Sequence, residues 1–288
     1  MSTSTRAVRT FDLPDPPGVN APGAGTRAHW HLPAGDAGAG STGVVILPIQ
    51  GGDYEICTLF AKHFAAQGHH CLRFERRADW LDPERPPAAL AALMRAFRDD
   101  VRRGMDRWLE EAPPGLRLGL FGVSMGAMAG VLVAASEPRL RATVLVLGGG
   151  PLAEILGSAR DPEINRFRAT LAARLGCREA ELVPPLRDAL EGLDPLEHAG
   201  ALDPASTLVV SARFDRVVRY RYQVRLWEAL GRPRRRVLPC GHYSAAIFVP
   251  WIRRMASRWF QDRLAPPGDW GTLTPRAGGT YNDRGGAS

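Results

Sequence analysis

Leu116-Arg117-Leu118-Gly119-Leu120-Phe121-Gly122-Val123-Ser124-Met125-Gly126-Ala127-Met128-Ala129-Gly130 is the stretch whose reading decides the fold. Leu116 to Phe121 is short and apolar enough for a buried strand, and Met125 to Ser136 is a helix-length run of small and aliphatic residues. Between them lies Gly122-Val123-Ser124-Met125-Gly126, a G-x-S-x-G placed on a strand-to-helix turn. That turn projects a hydroxyl from the end of a sheet, and its neighbours must be small because backbone elements approach closely. The positive end of the following helix adds a favourable field for developing negative charge.

Working outward, apolar runs of strand length alternate with helical segments, the pattern of a mostly parallel sheet covered by helices on both faces. Strands are predicted at Val44–Ile49, Cys71–Phe74, Leu116–Phe121, Ala142–Leu147, Thr207–Ser211 and Arg236–Leu238. Helices are predicted at Ile56–Gln67, Ala88–Glu111, Met125–Ser136, Tyr220–Leu230 and Ala245–Arg263. Between Gly150 and Ala205 the alternation gives way to two or three helices, around Ala153–Ser158, Pro162–Leu175 and Arg178–Leu190, the composition of a cap over the sheet end. The expected organisation is an N-terminal arm over 1–42 with one strand near Ala28–Leu32, a main domain over 43–264 with the cap at about 150–205, and a tail over 265–288.

A serine hydroxyl becomes a nucleophile when a base takes its proton and a carboxylate orients that base. Asp215 follows the strand Thr207–Ser211, and His242 follows Arg236–Leu238 on a loop beside Gly241. Both fall at the C-terminal ends of strands, where open α/β sheets place their ligands. The chain order Ser, Asp, His, with the elbow Gly122 to Gly126, the acid turn Asp215 to Val218 and the pair Gly241-His242, resembles the α/β-hydrolase superfamily over roughly residues 43–263. The resemblance implies Ser124 as nucleophile, His242 as general base and acid, and Asp215 as the group that holds the imidazole. It also implies an oxyanion hole from the Met125 N–H and a second amide in Leu47-Pro48-Ile49-Gln50-Gly51-Gly52, with Gly52 the candidate and Gly51 the alternative.

The implied activity is a serine hydrolase of the carboxylesterase or thioesterase kind, which cleaves a small-molecule acyl substrate through an acyl-enzyme without a metal or organic cofactor. An acyltransferase working through the same intermediate, and a catalytically silent ligand-binding protein on this scaffold, are the alternatives. Ser124 at the elbow excludes the aspartate expected of a haloalkane dehalogenase of this fold. Leu152, Ile155, Leu156, Phe167, Leu171 and Leu175 suit either an acyl pocket or the core of the cap.

Composition narrows the remaining classes. With 288 residues, 45% hydrophobic and 23% charged, the chain folds rather than remaining disordered. Its net charge of +7 comes from 37 basic residues of which Lys62 is the single lysine, a bias toward arginine rather than a nucleic-acid footprint. The run Arg232-Pro233-Arg234-Arg235-Arg236 reads as a solvated segment leading into a strand. Cys57, Cys71, Cys177 and Cys240 form no C-x-x-C pair, so free thiols are expected. His69-His70 would point to opposite faces of a strand, and His29 with His31 lacks a third ligand. No membrane span and no secretory leader are read from the sequence, and a cytoplasmic address is expected.

Overall fold

The computed structural model describes residues 7–13, 25–33, 41–51, 55–76 and 80–266. In chain order its strands and helices are β1 (Val8–Leu13), β2 (Thr26–His31), β3 (Thr42–Leu47), α1 (Glu55–Ala66), β4 (His70–Arg76), α2 (Pro87–Glu111), β5 (Arg117–Val123), α3 (Met125–Ser136) and β6 (Leu140–Val146). There follow α4 (Leu152–Ser158), α5 (Pro162–Leu175), α6 (Val183–Ala189), α7 (Pro195–His198), β7 (Thr207–Ala212), α8 (Tyr220–Ala229), β8 (Arg234–Leu238) and α9 (Val249–Arg263). Short 3-10 turns join several of these, one of them at Tyr243–Phe248 just before α9.

The eight strands among the described residues form one sheet in the order β1-β2-β4-β3-β5-β6-β7-β8. From β4 to β8 every pairing is parallel. Such strands are buried on both faces and read as continuous apolar runs, as Val44 to Leu47 and Val144 to Val146 do. The antiparallel pair β1 and β2 joins the β4 edge, so part of the predicted arm is two strands of the main sheet.

Two apolar layers sandwich the sheet. One joins Trp30, Phe74, Phe97, Trp108 and Leu120 beneath α2, α3 and α8, and the other joins Phe60, Phe64, Phe121 and Phe260 beneath α1 and α9. The chain runs from β3 outward to β4 and then returns to place β5 on the other side of β3. This reversal opens a crevice at the C-terminal ends of β3 and β5, the place where an open α/β sheet accommodates a ligand. The helices α4 to α7, inserted between β6 and β7, pack on the first of these layers. Among the described residues no helix is long and apolar enough to cross a membrane.

Most sequence expectations hold to within a few residues, and α3 and α5 begin and end where the pattern placed them. Three differ. The predicted helix from 178 to 190 is a 3-10 turn followed by the shorter α6, because Pro184 and Pro185 cannot donate to a preceding turn. The predicted helix over Ala245–Arg263 starts with the 3-10 turn and becomes α-helical at Val249. Arg234 and Arg235 lie within β8 and not ahead of it; an edge strand leaves alternate side chains in solvent, so charge does not oppose pairing there. The tail after Pro266 lies outside the described residues.

Candidate active site

Ser124 stands between β5 and α3 with φ 53° and ψ −119°, a conformation costly for a residue with a Cβ. The surroundings enforce it. The Ser124 amide donates to the Val146 carbonyl at 2.8 Å, and its own carbonyl accepts from Ala127 and Met128. A Cβ on Gly122 would lie 2.2 Å from the Gly126 carbonyl oxygen, and one on Gly126 would lie 2.8 Å from the carbonyls of Leu47 and Pro48. Glycine at both ends of the motif is therefore a steric requirement, since the obstacles are backbone atoms that cannot rotate away.

Asp215 follows β7, and its side chain is wholly buried. Burying a carboxylate is costly unless its oxygens are satisfied. Here one oxygen accepts from the amides of Val217 at 2.8 Å and Val218 at 2.9 Å, while the other faces His242 Nδ1 at 2.7 Å and Gln223 Nε2 at 3.2 Å. His242 follows β8, with its Nε2 3.0 Å from Ser124 Oγ. A carboxylate accepts only, so Nδ1 carries the proton and Nε2 is left as the acceptor for the serine hydroxyl. The amides of Arg213 and Phe214 donate to the carbonyls of Leu238 and Cys240, tying the acid loop to the histidine loop. The structure thus brings Ser124, Asp215 and His242 together in one connected line, although 91 and 27 positions apart in the chain.

Met125 opens α3, where an amide has no partner within its own helix. Gly52 lies outside the described residues. In the same loop, Arg76 at the end of β4 donates to the Ile49 carbonyl at 3.0 Å, and its guanidinium sits 4.0 Å from the centre of the Trp80 ring. Arg76 is buried. In a trans peptide the N–H opposes the C=O, so the Gln50 amide points away from Arg76.

A cavity of about 540 Å³ opens beside Ser124 and His242. Its walls are mostly hydrocarbon, from Met128, Leu152, Ile155, Leu156, Val218 and Ile252 among others. Phe167 and Leu171 are buried in the core of the inserted helices and do not line it, while Leu175 is exposed. Asp161, which caps α5 by accepting from the Ile164 amide, also accepts from the Tyr243 hydroxyl. The Tyr243 ring stands edge-on to His242, with centroids 5.6 Å apart at 83°. The inserted helices are thereby fastened to the residue next to the histidine.

Sequence reasoning missed Gln223, Tyr243, Asp161 and Arg76. Gln223 had a signal: it shares the inward face of α8 with Leu226, a polar residue where a core residue belongs. The other two contacts, Tyr243 with Asp161 and Arg76 with Ile49, join positions far apart in the chain and leave no pattern in it.

The other candidate clusters are structural. His69 meets Thr42 and His70 meets Trp30, on opposite faces of the sheet. His29 pairs with Glu75 at 2.8 Å, and no group of three potential metal ligands occurs among the described residues. None of the four cysteines is in a disulfide, and burial, followed by the charge of Asp215, raises the Cys240 thiol above its ordinary value.

No protein-family model matches the sequence. No curated protein matches it either. Solved structures do. The chain is similar to an esterase of Pyrococcus furiosus, with TM-score 0.60 and 13% identity over 90% of this chain and 92% of that one. It is similar to a cold-adapted esterase from an Arctic intertidal metagenomic library, with TM-score 0.56 and 18% identity over 89% and 93% of the two chains. The acylaminoacyl peptidase of Pyrococcus horikoshii superimposes with TM-score 0.66 and 13% identity, covering 93% of this chain and 43% of that one.

Proposed function

We propose that this chain, which has the α/β-hydrolase fold, is a serine hydrolase that cleaves a carboxylic ester or thioester of an apolar acyl group through an acyl-enzyme. The observation that carries this reading is the line Ser124 Oγ, His242, Asp215, with separations of 3.0 Å and 2.7 Å, at the wall of a hydrocarbon-lined cavity.

In this reading His242 Nε2 takes the hydroxyl proton as Ser124 Oγ bonds to the acyl carbon, and the carbonyl π electrons move onto its oxygen. The oxyanion is met by the Met125 amide and by one from the loop after β3. Gly52, with Gly51 as the alternative, is the candidate for that second donor. As the tetrahedral intermediate collapses, the bond to the alcohol or thiol breaks and His242 returns the proton to the leaving oxygen or sulfur. Water then attacks the acyl-enzyme with His242 as base, releasing the acid and regenerating Ser124. Asp215 stays ionised throughout and stabilises the imidazolium, and its four polar contacts fix the ring orientation.

The test is labelling by a fluorophosphonate, read by intact mass on the wild type and on Ser124→Ala, together with hydrolysis of p-nitrophenyl esters of increasing chain length. One adduct and turnover in the wild type alone are expected, with the variant folded by circular dichroism. Undiminished hydrolysis by Ser124→Ala overturns the assignment.

A further inference from the structure

The 3-10 turn at Tyr243–Phe248 and the start of α9 form a wall with two apolar sides. Ala245, Val249 and Ile252 face inward and line the cavity. Ile247 and Trp251 do not line it and are exposed, Ile247 to 78%, while Tyr243 stands at its mouth, part of the lining and itself exposed. Leu59, on α1 packed beside α9, and Phe214, whose amide is bonded to the histidine loop, are exposed on the adjoining elements. Five of the eight large apolar side chains exposed among the described residues thus lie on the histidine loop, the acid loop, α1 and α9, and such clustering marks an interaction surface. Just beyond Trp251 the same surface turns basic. Arg254 and Arg258 follow on the same face of α9, exposed, and neither has a carboxylate within ion-pair distance among the described residues.

We propose that this face docks on an anionic lipid surface, with Ile247, Trp251 and their neighbours at headgroup depth and the arginines against lipid phosphates. An apolar stripe with a basic flank is the pattern of a segment lying in a membrane interface. A second copy of the chain fits less well, because a two-fold axis through the patch would bring the arginine clusters close to each other. Resting on the hydrolase reading, the docking also names the substrate class: sparingly soluble acyl esters that pass from the lipid phase into the cavity behind this face.

The test is cosedimentation of the full chain with vesicles of phosphatidylcholine containing roughly one-third phosphatidylglycerol, a surface that attracts basic residues. Wild type is expected in the pellet, and its partitioning to fall at least about tenfold on pure phosphatidylcholine, in Ile247→Ser/Trp251→Ser and in Arg254→Glu/Arg258→Glu. Neither Ile247 nor Trp251 lines the cavity, so hydrolysis of a short soluble ester should be unchanged in the first double variant. Wild type left in the supernatant overturns the proposal, as does binding indifferent to Ile247 and Trp251. A dimer seen by light scattering that both double variants dissociate, without vesicle binding, assigns the face to self-association instead. Because the readout is partitioning, its failure is separable from a failure of the Ser124→Ala test.

Discussion

The loops that carry Ser124, Asp215 and His242 differ from the helices above them, α4 to α7, in how each residue is held. Around the elbow, backbone meets backbone: Gly122 against Gly126, Gly126 against Leu47 and Pro48, and Ser124 on the Val146 carbonyl. Above it, apolar side chains meet other side chains, as where Gly157 of α4 abuts Val183 of α6. The attachments of this layer to the rest of the site are side-chain reaches, from Tyr243 to Asp161 and from Arg219 to the Ser158 carbonyl, plus the Arg160 amide on the Arg216 carbonyl. Backbone contacts dictate which residue stands at a position. Side-chain packing accepts many combinations of similar volume.

Substitutions can separate the two regimes. The largest effect is expected from Asp215→Asn, which keeps the shape but presents the wrong hydrogen-bonding partner to His242 Nδ1. Turnover should fall by about 10³- to 10⁴-fold with the fold retained, and a loss under tenfold would break the view that this carboxylate governs the tautomer. Next is a matched pair. Gly122→Ala should lower the urea-unfolding free energy by about 3 kcal/mol or more, whereas Gly157→Ala, where Val183 can shift, should cost about 1 kcal/mol. Equal losses would erase the distinction drawn here.

Acid should act away from both regions. His31 and His69, in and just before the strands of the sheet edge remote from the elbow, are held neutral by burial with values near 4; neighbouring charges, Arg73 foremost for His31, add to the effect. Between the ordinary histidine value of about 6.5 and that lower value the unfolded chain binds more protons, so stability must fall as pH drops through this window. A urea midpoint that is lower at pH 5 than at pH 7.5 is expected, and one that rises on acidification contradicts the burial of these rings. The smallest effect is expected from Tyr243→Phe, which removes one partly exposed bond to Asp161. About 1 kcal/mol or less is at stake, so kcat/KM should move by no more than about fivefold, chiefly through KM.

The same contrast explains what could be read in the chain. Gly122, Ser124 and Gly126 are legible because the turn admits few alternatives, and Asp215 and His242 because both follow strands of recognisable apolar pattern. The elements on either side are legible for the same reason, down to the residue at α3. The inserted helices could be counted approximately, but which of their leucines face the cavity could not: Leu152 and Leu156 do, while Leu171 does not, although all three fit the same helical period. Arg76 is the hardest case. It sits in an arginine-rich stretch that resembles surface, and only the packing of β4 beside β3 shows that it is buried and holds the loop facing Ser124.

The arginines of β8 have a consequence beyond the site. As the last strand of the sheet among the described residues, β8 offers one row of backbone groups with no partner strand there. Unguarded, such a row is a template on which another chain can add a strand and begin an ordered aggregate. Arg234, Arg235 and Arg236 place three like charges along it, with Arg235 anchored 3.9 Å from the centre of the Trp227 ring. An incoming copy of the same strand would meet its own charges, so the densest basic run in the sequence works as a guard against self-templating in a chain rich in apolar strands.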